Sequence, residues 1–233
     1  MSETLRQSLD LSLFWEFRYT IAVGLLQNLY VFLASAMLAL SLAFVVGLSR
    51  LSRRRIVRMA STAYAELFRN TPEFVLLIWV YYVLPILISR LLATKFNLTP
   101  FVAAVLALGV AYSGFLSETV RAGIQSVPRG HIEAGLSLGM SRFTILRRIV
   151  IPQAVRRMLP EALSQFVSLF KATSIVSLIA VPDIMYQVSM INVDQMRPLP
   201  LYTGAALLFC LVIISATQSI NLLSDRWRKR GWA

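Results

Sequence analysis

The sequence predicts an all-α integral membrane protein with five transmembrane helices, and three observations carry the prediction. Of the 233 residues, 57% are hydrophobic and only 15% charged, against roughly 25% charged in an average soluble domain; the mean hydropathy is +0.68. Apolar runs long enough to cross a bilayer, which takes about 20 residues, recur along the chain. Arginine and lysine collect between alternate runs, the asymmetry that orients membrane helices. The same pattern explains the net charge of +12 better than nucleic-acid binding does, because a dissolved basic domain would not carry repeated lipid-length apolar runs.

Taken in order, residues 1–19 mix Leu13, Phe14, Trp15 and Phe17 with Asp10, Glu16 and Arg18. Without a basic n-region or an alanine-type cleavage site, this reads as an outward-facing interfacial segment and not a cleaved signal. The transmembrane domain is expected over 20–223. Its first span, about 20–48, ends at Arg50, Arg53, Arg54, Arg55 and Arg58. Those five arginines place the loop in the cytoplasm and the N-terminus outside. Residues 56–70 are mixed, with Glu66 and Arg69 one turn apart. In Asn70-Thr71-Pro72-Glu73, Thr71 as cap, Pro72 at the first helical position and Glu73 behind it predict a break or kink before the second span.

Arg90, Lys95 and Asn97 fall in a short outer loop. The third span, about 100–124, carries Glu118 and Arg121 near its inner end, and a cytoplasmic loop covers about 125–152. Arg156 and Arg157 mark the inner boundary of the fourth span, which is expected to begin near Pro160 and climb through Lys171 toward Val181-Pro182-Asp183. An outer loop to Pro200, a fifth span at about 201–223 and a basic cytoplasmic tail, 224–233, complete the chain. A count of four or six spans would put one basic cluster outside.

Within the cytoplasmic loop, Gly130 to Pro152 reads GHIEAGLSLGMSRFTILRRIVIP. Ile132 to Met140 is expected as a short helix, with Glu133 in its first turn and Gly139 taking the left-handed conformation that stops it. Ser141 then caps a second helix that runs through Arg147 and Arg148 to Pro152. A helix this short cannot span a bilayer. Ala134, Gly135 and Gly139 leave its surface low enough to seat closely in a partner's groove, although a plain linker between spans is the simpler alternative.

The spacing E-A-G-x3-G-x9-I-V-I-P resembles the EAA signature, E-A-A-x3-G-x9-I-x-L-P, of bacterial ATP-binding cassette (ABC) importer permeases. Gly135 stands for the third alanine and Ile151 for the leucine. The stretches ELFRNTPEFVLLIWVYYVLP, SETVRAGIQSVPRGHIEAG and IPQAVRRMLPEALSQFVSLFKATSIVSLIAVPD are similar to the polar amino acid uptake branch of that family, so that the likeness covers roughly residues 24–183. Asn70 stands where the branch usually has glycine, and Ala172 where it usually has aspartate.

The resemblance implies a type I importer permease whose loop is a coupling helix that docks on a cytoplasmic ATPase, through Glu133, Ala134, Gly135, Leu138 and Gly139. It implies as partners an ATPase dimer, a second permease subunit, identical or homologous, and an extracytoplasmic amino-acid-binding protein, in the cytoplasmic (inner) membrane of a bacterium. Mg–ATP would be bound by the ATPase, with no cofactor in this chain.

The residues agree with a chain that does no chemistry of its own. No Ser/His/Asp set, no metal-ligand cluster around the lone His131, and no phosphate-cradling G-x4-GK[ST] loop occurs. Cys210 sits in an apolar run as a small hydrophobe. Ionisable groups within spans mark a polar path or a satisfied ion pair. The path candidates are Arg69, Thr71, Glu73, Ser113, Lys171, Thr173 and Ser174. Glu66 with Arg69 and Glu118 with Arg121 read equally as structural bridges, and Lys171 either snorkels outward or faces the path. The rival function is a self-sufficient ion-coupled carrier or channel, which often shows internal repeats; none is visible here. A membrane enzyme lacks its constellation. Which amino acid is carried is not written in this chain.

Overall fold

A computed structural model describes residues 11–227; the first ten residues of the expected interfacial segment and the end of the basic tail, 228–233, lie outside them. The described residues form helices α1 (Ser12–Glu16), α2 (Arg18–Ser49), α3 (Arg55–Asn70), α4 (Glu73–Leu92), α5 (Pro100–Gln125), α6 (Arg129–Ser137), α7 (Arg142–Ile179), α8 (Ile184–Gln195) and α9 (Pro198–Trp227), with no strand among them. Five of these, α2, α4, α5, α7 and α9, are long and apolar enough to cross a membrane. An all-helical solution is what a bilayer demands, because a helix satisfies its own backbone groups where water is absent.

Prolines accompany three of the local departures from regular α-helix; the 3-10 turn Thr173–Ile179 that ends α7 contains none, and Pro160 lies in regular α-helix. Pro72 forces the residue before it out of the helical region, so Thr71 is extended, at φ −86° and ψ 128°, and α3 separates from α4 as expected. Thr71 is not the cap, however. Pro72 occupies the cap position of α4, and the Thr71 hydroxyl instead turns back to donate to the Leu67 carbonyl at 2.7 Å. Pro152 does not end a helix either. The turn Leu146–Val150 just before it is a π turn, and the helix continues through Ile151 and past Pro160. The wider turn accommodates a ring that would otherwise strike the carbonyl four residues back. Trp79–Val83 does the same before Pro85 in α4. The fourth span therefore lies in a helix that begins at Arg142, well before Pro160.

The segment after Asp183, expected as a loop to Pro200, is helical over most of its length. Ile184–Gln195 is helical because the Asp183 side chain accepts the Tyr186 N–H at 2.8 Å and caps it.

Two compact units can be distinguished by themselves. The first takes in 11–36, 72–109 and 168–216 and the second 37–71, 110–167 and 217–227, so α2, α5, α7 and α9 each give a segment to both. In the first, Leu13, Ile21, Ile184, Val188, Ile191, Leu201 and Ala205 form a buried core. Its polar centre is Asn28, fully buried on α2. The Asn28 amide donates to the Thr173 carbonyl at 3.2 Å, the Thr173 hydroxyl at 3.1 Å and Asp183 Oδ2 at 3.3 Å, while its Oδ1 accepts the Ile184 N–H at 3.1 Å. One side chain thus ties α2 to the end of α7 and the start of α8. Gly24, one turn earlier on α2, makes room for this, since a Cβ there would sit 2.8 Å from the Ile184 nitrogen.

In the second unit small residues bring helices onto α5, as is common between membrane helices. Gly114 faces the backbone of Ala65 and Arg69, and Gly123 faces Ala154 and Met158. The Tyr64 hydroxyl meets the buried Ser113 hydroxyl at 2.8 Å.

The Asn28 centre yields a stability prediction. Asn28→Ala strands the buried Ile184 N–H without its acceptor, and a buried group left so costs about 1–3 kcal/mol; the purified protein should unfold at a clearly lower temperature. Asp183, between the fourth and fifth spans, adds a pH dependence. Burial pushes its carboxyl up from 3.8 to about 7, against the opposing hydrogen bonds from Tyr186 and Asn28. The folded state holds a proton that the unfolded chain has released, so this stability is full below 3.8 and lost as pH rises through 7. Unfolding temperature should therefore fall across that window, and Asp183→Asn should flatten the fall; parallel curves would show that Asp183 does not titrate there.

Candidate functional site

The loop between the third and fourth spans folds into a braced, solvent-exposed helix. Pro128 takes the cap position and Arg129 starts α6, three residues earlier than expected, because a proline just outside a helix presets its entry. Glu133 consequently lies in the middle of α6 and not in its first turn, so the helix dipole does not explain it. The far end is closed by a Schellman motif: Gly139 is left-handed at φ +73°, its N–H donates to the Leu136 carbonyl at 2.9 Å, and the Met140 N–H donates to the Gly135 carbonyl at 3.0 Å. Ser141 then caps α7, accepting the Thr144 N–H at 3.2 Å.

Of the five coupling candidates, Glu133, Ala134, Leu138 and Gly139 are exposed, whereas Gly135 is buried. It faces α7, where a Cβ would come within 2.9 Å of Ile145 Cγ1 and 3.1 Å of Ile149 Cδ1. Val127, Ile145, Val150 and Ala154 form the small core beneath. Two polar contacts brace the start of α6 and the turn before it on the same helix: His131 Nδ1 meets Gln153 Oε1 at 2.9 Å, and Arg157 donates to the Ser126 carbonyl. Exposed large apolar side chains complete the surface. Leu138 is 81% exposed and Phe143 71% exposed, with Leu136 beside them in sequence. Phe143 and Leu136 were not singled out from the sequence, although an aromatic ring in a loop this polar is a signal for contact.

A cavity of about 300 Å³ lies in the same unit, lined by charged and apolar side chains together: Arg69, Phe115, Glu118, Thr119, Ala122, Glu161 and Gln165. Phe115, Glu118, Thr119 and Ala122 follow helical spacing along one side of α5, and Glu161 and Gln165 are one turn apart on α7, joined by a 3.0 Å bond from the Gln165 amide. Both pairs expected from spacing form: Arg69 Nη2 lies 3.2 Å from Glu66 Oε2, and Arg121 grips Glu118. Spacing missed a third partner. Arg50, read as a topology signal, is nearly buried and reaches Glu118 Oε2 at 2.7 Å. Its Nε and Nη1 N–H groups are poorly aimed, with no aligned hydrogen bond. Glu161 pairs with no arginine or lysine among the described residues.

Of the path candidates, the cavity wall contains Arg69. Ser113 is buried against Tyr64 and Val110, Thr71 is turned back on α3, and Thr173 is held by Asn28. Glu73 is the first residue of α4 and half-buried. Lys171 is exposed on α7, with the Ser174 hydroxyl bonded to its carbonyl at 2.9 Å.

Residues 35–229 match the model of the family described as binding-protein-dependent transport system inner membrane component. The chain is 31% identical to the arginine ABC transporter permease protein ArtQ of Haemophilus influenzae, over 93% of this chain and 97% of that one. It is 32% identical to the probable glutamine ABC transporter permease protein GlnP of Bacillus subtilis, over 87% and 91%. Among solved structures it is similar to an amino acid ABC transporter crystallised with histidines, at 26% identity and a TM-score of 0.84 over 93% of this chain and 98% of that one.

The seating of α6 on α7 is testable at its tightest point. Gly135→Leu must drive its side chain into Ile145 and Ile149, and overpacking of that kind costs about 1–3 kcal/mol. Gly135→Ala adds only the Cβ, so Ile145 and Ile149 have to give way by less than the leucine side chain demands. Proteolysis of the loop in membranes should accelerate strongly in the leucine variant and little in the alanine one; equal protection in both would show that Gly135 is not a close contact.

Proposed function

Because this chain belongs to the family of binding-protein-dependent transport system inner membrane components, we propose that it is the transmembrane subunit of an ATP-driven importer of polar amino acids. The observation that carries the coupling role is α6, which offers exposed Glu133, Ala134, Leu138 and Gly139 while Gly135 is buried against α7. A push on α6 is then delivered to α7 as rigid-body motion, since close packing and two polar braces leave little slack. The ATPase subunits bind and hydrolyse Mg–ATP, and this chain hydrolyses nothing. A binding protein delivers substrate, and a second permease subunit, a copy or a homologue, completes the path.

The substrate class rests on relatives named for arginine and glutamine and on a cavity that offers both signs of charge. Arg69 suits a carboxylate, and Glu161, without a cationic partner among the described residues, suits an ammonium. The arginines at 50–58 set the orientation, with the N-terminus outside and the C-terminus in the cytoplasm.

Uptake into membrane vesicles that hold the assembled transporter tests these roles together. Gly139→Asp puts a β-carbon where φ is +73° and a charge on the docking surface. It should reduce uptake at least about tenfold with the permease still in the membrane, a barrier change of about 1.4 kcal/mol. Glu161→Gln should weaken transport while ATPase copurification stays unchanged. Normal uptake in Gly139→Asp would show that α6 only links two spans.

Orientation has its own measurement. A reporter fused after Arg58 should read cytoplasmic and one fused near Asn97 external; a cytoplasmic signal at Asn97 would overturn the five-span arrangement.

A further inference from the structure

The turn between α2 and α3 carries more charge than coupling or the cavity uses. Arg53, Arg54, Arg55 and Arg58 are all exposed, and none of the four meets a carboxylate among the described residues. The turn has a fixed shape. Ser52 Oγ accepts the Arg54 N–H at 3.2 Å, and the Ser52 carbonyl accepts Arg58 Nη1 at 3.0 Å. Next to these cations α3 exposes a stripe of apolar side chains: Ile56 is 83% exposed and Met59 59% exposed, and Ala60, Ala63 and Leu67 follow at i+4, i+7 and i+11 from Ile56. Arg55 adjoins the stripe in sequence, while Arg58 lies around the helix from it and folds back onto the turn through the Ser52 carbonyl.

We propose that this turn and the first turns of α3 form a docking site for anionic phospholipid headgroups. The juxtaposition selects the occupant. Four uncompensated guanidiniums ask for phosphate oxygens, which they bind in bidentate fashion, and an isoleucine and a methionine set beside them ask for hydrocarbon. The lipid–water boundary of an anionic leaflet supplies both within a few ångströms, and basic clusters at the end of a membrane span draw acidic lipids there. Orientation of the helix in the membrane requires the net charge alone; it does not require that the charge be shaped by Ser52 or set against an exposed apolar stripe.

The test uses the assembled transporter in phosphatidylcholine vesicles with a minor fraction of lipid carrying bromine on its acyl chains. Ile56→Trp places an indole at the exposed stripe, and subtraction of the signal from protein without that change removes the native tryptophans. Brominated phosphatidylglycerol should quench the added indole at least about threefold more than brominated phosphatidylcholine at equal mole fraction, since one arginine near the surface is worth about fivefold. The preference should shrink at high salt, vanish when Arg53, Arg54, Arg55 and Arg58 are all changed to Gln, and survive when all four are changed to Lys. Equal quenching by the two lipids overturns the proposal. So does quenching by neither, the result expected if a second subunit or the ATPase covers the stripe. A preference indifferent to salt overturns it as well, and that measurement needs no arginine variant to fold.

Discussion

The absence of water in the bilayer core governs this structure more than any single contact. Each backbone group and each charge placed there must find its partner within the protein. Helices meet the requirement for the backbone, and prolines then threaten it. At Pro85 and Pro152 the preceding turn opens to a π turn and the helix carries on; at Pro72, next to a run of polar residues, the helix breaks and the Thr71 hydroxyl closes the end of α3. The difference lies in what surrounds the ring. A hydroxyl and an amide stand ready before Pro72, while before Pro85 and Pro152 a wider turn is the available adjustment.

Side-chain polarity obeys the same requirement. Asn28 is buried with its amide and carbonyl both used, so it joins three helix segments at a point where a hydrophobic residue would join none with direction. Glu118 is held by Arg50 and Arg121 at once. Removal of one arginine leaves the other in place, a redundancy suited to a carboxylate in the wall of a cavity with apolar neighbours. Glu161, in the same wall, has no arginine or lysine partner among the described residues and accepts only the Gln165 amide at 3.0 Å.

Force transmission asks for the opposite of a flexible loop. The Schellman close at Gly139 and the cap at Ser141 fix both ends of the short link between α6 and α7, and Gly135 removes the one side chain that would hold the helices apart. On the proposed coupling role, a partner that pushes on Leu138 or Phe143 would move α6 together with the start of α7.

The number of spans, the break before α4, the left-handed stop at Gly139, the Ser141 cap and the two one-turn ion pairs were legible in the sequence, because each depends on local spacing and on the backbone limits of glycine and proline. The family resemblance was legible for the same reason, since its motif is a spacing. Local reasoning failed where a distant residue decides the outcome. Pro152 reads as a helix end until the π turn ahead of it is known. Asp183 reads as a loop residue until its cap on α8 is seen, and Thr173 reads as a path residue until Asn28, 145 positions away, takes it. Arg50 likewise reads as one of five topology charges, and Glu118, far along the chain, buries it. Spacing reports which side chains share a turn of helix; which of them meet across helices is settled by packing, because only there does the cost of an unpartnered polar group in a dry interior select one arrangement.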